Sequence, residues 1–509
     1  MRNSMVMAAM LPLAARVMGT CKVKVESEKL QADMKTEGLM SHLEELNKIA
    51  LAHGGNRAFG LPGYDASVDY VYNLVSQYPG AKAWKQDLPG LYNSVESIEF
   101  KVGNNSMYVY GLTYSPSTSK EGLTAQLVLG PEGAAACDAA NYAGLDVKDK
   151  IVLVQRFRCP TGGTLAGRVK PAKAAGAAAV IVYNDTPAKV TGGTLSEPSD
   201  ALAPCGYINQ ADGLALKERI AGGESVTAHF QQTQTIETRT TQNVILELEG
   251  GDEENVIMLG AHLDSVQAGP GINDDGSGTT VLLELSKALA KYKTQNKVRF
   301  AWWGAEENGL VGSKYYCANL PTADVDRLVA YLNFDMVSKG YFGVADTDGS
   351  THGSVAPPGS EVIEKLWVEH FESNGHEVTP AILSNGSDYA AFWQILNKPF
   401  GFLHTGTGQA QDPCYHQECD TIENPDPETL TVNAKAAAHM LAILSMNGTE
   451  LIAKTPVNAS MFENVRTRSV GPDLIMIEEL EALGRDIWDA ATKFKYQHLT
   501  NGVKTISLA

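Results

Sequence analysis

The stretch GAHLDSVQAGPGINDDGSG, residues 260–278, sets His262, Asp264, Asp274 and Asp275 in one short glycine-rich run. Further along come the pair Glu306–Glu307, then Asp335, then Tyr415–His416. Carboxylates repel one another and an unpartnered buried charge is expensive, so these groups are either solvated or gathered around cations. Singly each has an ordinary explanation: helix N-terminal residues for Asp274 and Asp275, exposed charge for Glu306 and Glu307, a hydrogen-bonded strand end for a histidine. Together, imidazoles with several carboxylates match the donor preference of zinc or a similar transition metal, whereas calcium takes oxygen alone. Two histidines are few for one ion. They suit two ions that each take one histidine and share a bridging carboxylate. Asp264, two residues past His262, lies on the same side of an extended chain and is placed to orient the imidazole. Gly304 ends the strand before Glu306 and Glu307, which lets both face inward; one can bind metal while the other takes a proton from water.

The elements that must carry these groups are legible in the apolar pattern. Residues 27–76 are helical in period, as in EGLMSHLEELNKIALAH, with GGNRAFGLPGYD as punctuation. Past Pro89 the chain turns to alternating, β-branched and aromatic segments. Between about 123 and 235 it is rich in small residues, with strands such as KIVLVQRF and AHFQQTQT and one Ala-rich helix, and holds no cluster of metal ligands. From QNVILELEG onward, continuous apolar runs (NVIMLGAHL, KVRFAWWG, RLVAYLNFDM, PFGFLHTG) alternate with helical stretches. That alternation predicts a doubly wound α/β sheet, mixed but parallel in its centre, with helices on both faces. Ligands of such sheets bind beyond the carboxyl ends of the strands. There His262, Glu306–Glu307, Asp335 and Tyr415–His416 follow successive strands, and Asp274–Asp275 open a helix.

With 509 residues and a net charge of −18, the chain is long enough for two domains and a poor match to nucleic acid or an anionic membrane. Arg2 followed by the apolar run from Met5 to Ala15 predicts a secretory signal over residues 1–19, although Arg16 interrupts its end. No apolar run reaches membrane-spanning length. Seven cysteines are too few for a disulfide framework. Cys414 and Cys419 in CYHQEC are spaced to close a small loop, Cys137 and Cys159 form a second candidate pair, and Cys21, Cys205 and Cys317 stay unassigned. Sequons at Asn104, Asn184, Asn385, Asn447 and Asn458 permit glycosylation and secretion.

The stretches GAHLDS, GPGINDDGSG, WWGAEENGLVGSKYY, LNFDMV, SDY and DPCYHQECDTIEN come in one order over residues 30–450. In them the chain resembles the zinc-dependent co-catalytic aminopeptidases of the aminopeptidase Y and secreted leucine aminopeptidase type. The resemblance implies two Zn2+ per chain bridged by Asp274, one completed by His262 and Asp335, the other by His416 and Glu307. It implies Glu306 as general base, Tyr415 as a stabiliser of the oxyanion, carboxylates that hold the substrate ammonium, and a cis peptide from Asp274 to Asp275. Cys414–Cys419 would brace the loop of Tyr415 and His416. Residues 137–185 resemble the protease-associated domain inserted in this family, where Cys137–Cys159 is the expected disulfide. The implied organisation is a signal over 1–19, catalytic residues 27–115 and 233–457, a protease-associated domain over 116–232, and a C-terminal extension over 458–509 without a recognisable role. Some relatives carry an arginine just before the SD dipeptide, where this chain has Gly386, so a basic contact to peptide is expected to be missing.

The expected protein is a monomeric, secreted or vacuolar enzyme that removes leucine or another apolar residue from peptide or protein N-termini. Related dipeptidases and carboxypeptidases place their extra domain after the glutamate pair rather than before His262. Glutaminyl cyclases use one zinc, and an inactive receptor-like protein has no need of every ligand plus Glu306. A serine hydrolase is excluded because Ser277 lacks the G-x-S-x-G elbow.

Overall fold

The computed structural model describes residues 22–455. The expected signal, Cys21, Asn458 and the C-terminal extension lie outside the described residues. Strands Asn296–Trp303, Asp252–His262, Leu328–Phe334 and Phe400–His404 lie side by side in that order and are parallel. Phe342–Ala345 runs antiparallel beside the last of them, so the sheet is mixed, as expected.

Continuous apolar strands need cover on both faces, and alternation along each strand assigns the faces. Ile257, Leu259, Ala261, Phe300 and Trp302 face one layer; Met258, Ala301, Trp303 and Tyr331 face the other. The first layer holds Thr36–Ala52, Pro62–Val75, Gly276–Leu289, Ser360–Ser373 and Pro427–Leu451. Thr36–Ala52 buries Leu39, Leu43, Leu46 and Ala50, the three- and four-residue spacing of one helical face. Val311–Asn319 and Tyr389–Gln394 cover the opposite layer. Gly260 is required where the layers are tightest: a Cβ there would lie 2.2 Å from Tyr331 Oη and 2.4 Å from Trp303 Nε1.

On the other side of Asn296–Trp303 runs Thr227–Glu247, a single strand of 21 residues. Val244–Glu247 pair with the central sheet and Thr227–Phe230 pair with Leu123–Gln126, so one strand belongs to both lobes. Lys82–Val102 lies antiparallel along it, from Lys82 opposite Glu247 to Val102 opposite Ala228, with a bulge between Val95 and Ser97. Read from sequence, this strand is two, AHFQQTQT and QNVILELEG, because the intervening residues are polar. Glu237, Thr238 and Thr240 are exposed, which a two-stranded ribbon outside any core accommodates.

The second lobe repeats the layered plan. Leu123–Leu129, Ile151–Gln155, Ala179–Tyr183 and Cys205–Ile208 are parallel. Ala166–Ala174 packs on one face and Gln210–Ala221 on the other. Gln210–Ala221 has little apolar pattern, burying only Gly213 and Leu216, so it leaves a weak trace in the sequence. Phe100, Val102 and Leu112, ahead of residue 116, also join these cores. Cys137–Cys159 and Cys414–Cys419 are both joined, while Cys205 and Cys317 are free and buried. Among the described residues no helix is long and apolar enough to cross a membrane.

Candidate active site

Each predicted metal or catalytic residue leaves from a strand end or the loop that follows, Asp264 and Asp274 from the loop between Asp252–His262 and Gly276–Leu289. His262 closes Asp252–His262, Glu306 and Glu307 follow Asn296–Trp303, and Asp335 follows Leu328–Phe334. Tyr415 and His416 stand in the loop after Phe400–His404. Asp275 caps Gly276–Leu289 by accepting the Gly278 amide at 2.8 Å, and the Asp274–Asp275 peptide is cis. The left-handed turn that swings Glu306 and Glu307 inward falls at Ala305, with φ 56°, one residue past Gly304. Gly304 is needed for space instead, since a Cβ would lie 2.3 Å from Tyr64 Oη.

These groups converge. Asp274 Oδ1 lies 3.1 Å from His262 Nε2, and Asp274 Oδ2 lies 3.2 Å from His416 Nε2. His262 Nε2 is also 3.6 Å from Asp335 Oδ1 and 4.0 Å from Glu306 Oε2, and His416 Nε2 is 3.0 Å from Glu307 Oε2. The His262 Nδ1–H donates to the Asp264 carbonyl at 3.0 Å, which leaves Nε2 as the ring atom that faces the carboxylates. The ring of Tyr415 stacks on that of His416 at 3.9 Å. Asp275 faces the same region, but its oxygens accept the amides of His262, Gly278 and Met336, so it serves as an anchor.

The side chain of Asp264 acts mainly on the glutamates. Its carboxylate accepts the Glu306 amide at 3.0 Å and the Glu307 amide at 3.3 Å, while it stands 3.8 Å from the His262 ring. Asp335 is held by a directed chain: Trp303 Nε1 donates to Tyr331 Oη, Tyr331 to Asn333, Asn333 to Ser387, and Ser387 Oγ to Asp335 Oδ2 at 2.6 Å. Asp420 accepts the amides of Asn273 and Asp274, and Asp412 accepts Asn273 Nδ2, Asn424 Nδ2 and the Cys414 amide. This buried hub ties the Asp274 backbone to the loop of His416. Arg57 is fully buried against the segment between His262 and Asp274. Sequence reasoning missed Arg57, Asn273, Asp412, Asp420 and Asn424; the one available sign was an arginine between the glycine turns of GGNRAFG.

The electrostatics follow from crowding acids where water is excluded. Burial pushes Glu307 up to about 7 and Asp388 up to about 7. Glu306 is held well above the carboxylate range by burial and then by Glu307, Asp335 and Asp388. Burial opposes charge on the imidazoles, yet Glu307 and Asp274 hold His416 up to about 10, and Glu306, Asp274 and Asp335 raise His262. Asp274 runs the other way: burial alone would raise it, and the contacts to His262 and His416 lower it. The cluster therefore retains protons wherever no other cation offsets the carboxylates. Asp274 Oδ2 and Glu307 Oε1 are buried without an aligned hydrogen bond, so acceptor capacity is left over in the place where an ion would use it. Imidazole and carboxylate donors of this kind fit zinc. Ser277 is buried and donates to the Asn273 carbonyl, a structural use that leaves no nucleophile.

The comparisons agree with this geometry. Residues 243–441 match peptidase family M28 and residues 123–216 match the PA domain. The chain is similar to leucine aminopeptidase 2 of Arthroderma otae, 37% identical over 440 residues, 83% of this chain and 86% of that protein. It is also similar to an aminopeptidase of Pseudomonas aeruginosa, 34% identical over 448 residues, 81% of this chain and 82% of that one. Among solved structures, an aminopeptidase from Aneurinibacillus sp. strain AM-1 superposes with a TM-score of 0.69 at 26% identity, covering 85% of this chain and 97% of the other. A zinc aminopeptidase of Bacillus subtilis, at 24% identity and a TM-score of 0.63 over 81% of this chain and 96% of its own, shares the fold. The chain belongs to peptidase family M28, in the aminopeptidase group that carries an inserted PA domain, and is a peptide hydrolase.

Proposed function

We propose that the chain is a two-zinc aminopeptidase that hydrolyses leucine or another apolar residue from the N-termini of peptides and proteins, outside the cell or in a vacuole. The observation that carries this reading is the Asp274 carboxylate, whose two oxygens face two different imidazoles at 3.1 and 3.2 Å. His262 and Asp335 would hold one ion, His416 and Glu307 the other, and Asp274 both. When bound, zinc supplies a water that ionises near neutral pH and a polarised scissile carbonyl. Glu306 then acts as general base: buried 4.0 Å from His262 Nε2, it takes the proton from water and returns it to the leaving amine. Asp264 fixes its backbone and that of Glu307. Tyr415, stacked on His416, donates toward the oxyanion, and the site carboxylates hold the substrate ammonium. Two disulfides suit an oxidising compartment.

The test uses leucine p-nitroanilide and its N-acetylated counterpart, each assayed before chelation, after it, and after zinc is restored. Cleavage of the free-amine substrate alone, lost with chelator and recovered with zinc, is the expected result. Silence on both substrates by a zinc-loaded protein would overturn the aminopeptidase reading in favour of a dipeptidase or a binding role.

A further inference from the structure

Arg57 lies outside the segment matched to the peptidase family and in none of the roles above, yet it is 0% exposed. Its Nε donates to the Pro270 carbonyl at 2.9 Å, its Nη2 to Gly271 at 2.6 Å, and its Nη1 to Leu263. Leu263 follows His262, and Gly271 is three residues from Asp274, so one guanidinium closes the loop that sets the separation of those two side chains. The backbone adds to this closure. The Arg57 amide donates to Ser265 Oγ at 2.9 Å, Ser265 N–H returns to the Arg57 carbonyl at 3.3 Å, and Asn56 Nδ2 donates to the Gln267 carbonyl at 3.3 Å. Gly271, at φ 65°, has no room for a side chain, since a Cβ would lie 2.4 Å from the Asp274 carbonyl oxygen and 2.5 Å from Ser265 Cβ. The loop is thus a single packed shape: the Gly271 carbonyl also accepts the Gly276 amide at 3.0 Å, while those of Leu263 and Pro270 would lose their donor without the planar fork of Arg57.

We propose that Arg57 is a positioning residue of the metal site: it ties Leu263, Pro270 and Gly271 together so that His262 and Asp274 face each other before any ion binds. The inference rests on the metal reading above and assigns it a residue some two hundred positions away in the chain. The charge of Arg57 makes the claim testable in sign. A fixed cation near Asp264, Asp274, Asp275 and Asp420 repels a divalent ion, so if charge were its whole effect, removing it would tighten zinc binding. Positioning predicts the opposite.

The experiment measures zinc affinity of the metal-free full chain by chelator competition, with the visible spectrum of the cobalt(II) form as a second readout of geometry. Arg57→Met is expected to bind zinc about tenfold or more weakly, the range seen when groups that orient metal ligands are lost, and to alter the cobalt spectrum. Arg57→Lys keeps the charge but cannot span three carbonyls, and is expected to weaken binding too. Arg168 is the control for loss of any buried arginine: it is also 0% exposed, donating to the Gln155 carbonyl at 2.8 Å and the Gly133 carbonyl at 2.7 Å in the second lobe. Arg168→Met is expected to keep the wild-type affinity. Equal or tighter zinc binding by Arg57→Met would overturn the assignment, and if that variant does not fold, wild-type affinity and spectrum in Arg57→Lys would do so. A wild-type chain that binds no zinc would instead overturn the metal reading, and this assignment with it.

Discussion

The two lobes are built alike and do different things. Each has four adjacent parallel strands with helices on both faces, and each contains a fully buried arginine that donates to backbone carbonyls. They diverge at the carboxyl ends of the strands. In the second lobe the charged groups there neutralise each other: Arg156, just past Ile151–Gln155, pairs with Asp185, just past Ala179–Tyr183, at 2.9 Å. Asn184 beside it accepts a hydrogen bond from Tyr207 Oη at 2.6 Å. In the first lobe the corresponding ends carry buried His262, Glu306 and Asp335 and half-buried Glu307, with carboxylates in excess of any cation near them. Chemistry in this molecule is a matter of which side chains stand at the strand ends, since the layered scaffold beneath is common to both lobes.

The comparison can be broken at its strand ends. Glu306→Gln is the largest expected effect: a fall in kcat of about 10²–10⁴-fold, the usual contribution of a general base, with zinc content unchanged. Asp185→Asn, at a strand end of the second lobe, should leave kcat within about twofold on the same argument that exposed paired charge contributes little. Equal losses in the two variants would erase the distinction between the lobes.

The disulfides sharpen it. Cys137 and Cys159 are 22 positions apart in the chain and Cys414 and Cys419 only 5, so loop-closure entropy assigns these bridges about 3 and about 2 kcal/mol of stability. Replacing the first pair by serine should lower the unfolding midpoint and leave zinc affinity alone. Replacing the second should cost less stability yet weaken zinc binding, because the Cys414 amide and the His416 loop hang from the same hub as Asp274. Loss of zinc affinity only in the Cys137–Cys159 variant would reverse the assignment of roles.

Histidines outside the site give the smallest effect. His370 and His439 stack at 4.1 Å between Ser360–Ser373 and Pro427–Leu451, with Ser27 Oγ 2.8 Å from His439 and with His376 and Glu28 as titratable neighbours. Burial, then His439 and His376, lower His370 from 6.5 to about 4. A base weaker in the folded chain than in the unfolded one favours folding above 6.5 and loses that contribution as pH falls toward 4. The unfolding midpoint should drop over this window, and drop less in His370→Phe. An unchanged slope in that variant would place the acid sensitivity elsewhere.

Much of the site was legible because its chemistry sits on regular elements. Apolar runs such as NVIMLGA and VRFAWWG announce buried parallel strands, and whatever follows them must reach the sheet edge, so His262, Glu306, Glu307 and Asp335 could be gathered from order alone. Arg57 could not, because it acts through backbone carbonyls, which leave no mark in the sequence of the loop they belong to. Asp412 and Asp420 were hidden for the same reason: their partners are mainly amides. The ribbon was misjudged where tertiary context overrides pattern, as the polar residues of TIETRTT extend a strand that no core requires. Asp264 meets the imidazole through its backbone carbonyl, and its carboxylate adds the glutamate amides, since spacing along a strand says which side a residue is on and not which donor it meets.

The central claim is that Asp274 joins two ions at one strand-end cluster, and the most direct test is to count zinc per chain in the wild type and in Asp274→Ala. The account predicts two equivalents in the wild type, bound by the full chain after chelation and reloading, and loss of tight binding at both positions when the bridging carboxylate is removed. One equivalent in the wild type, or two retained by Asp274→Ala, would contradict it.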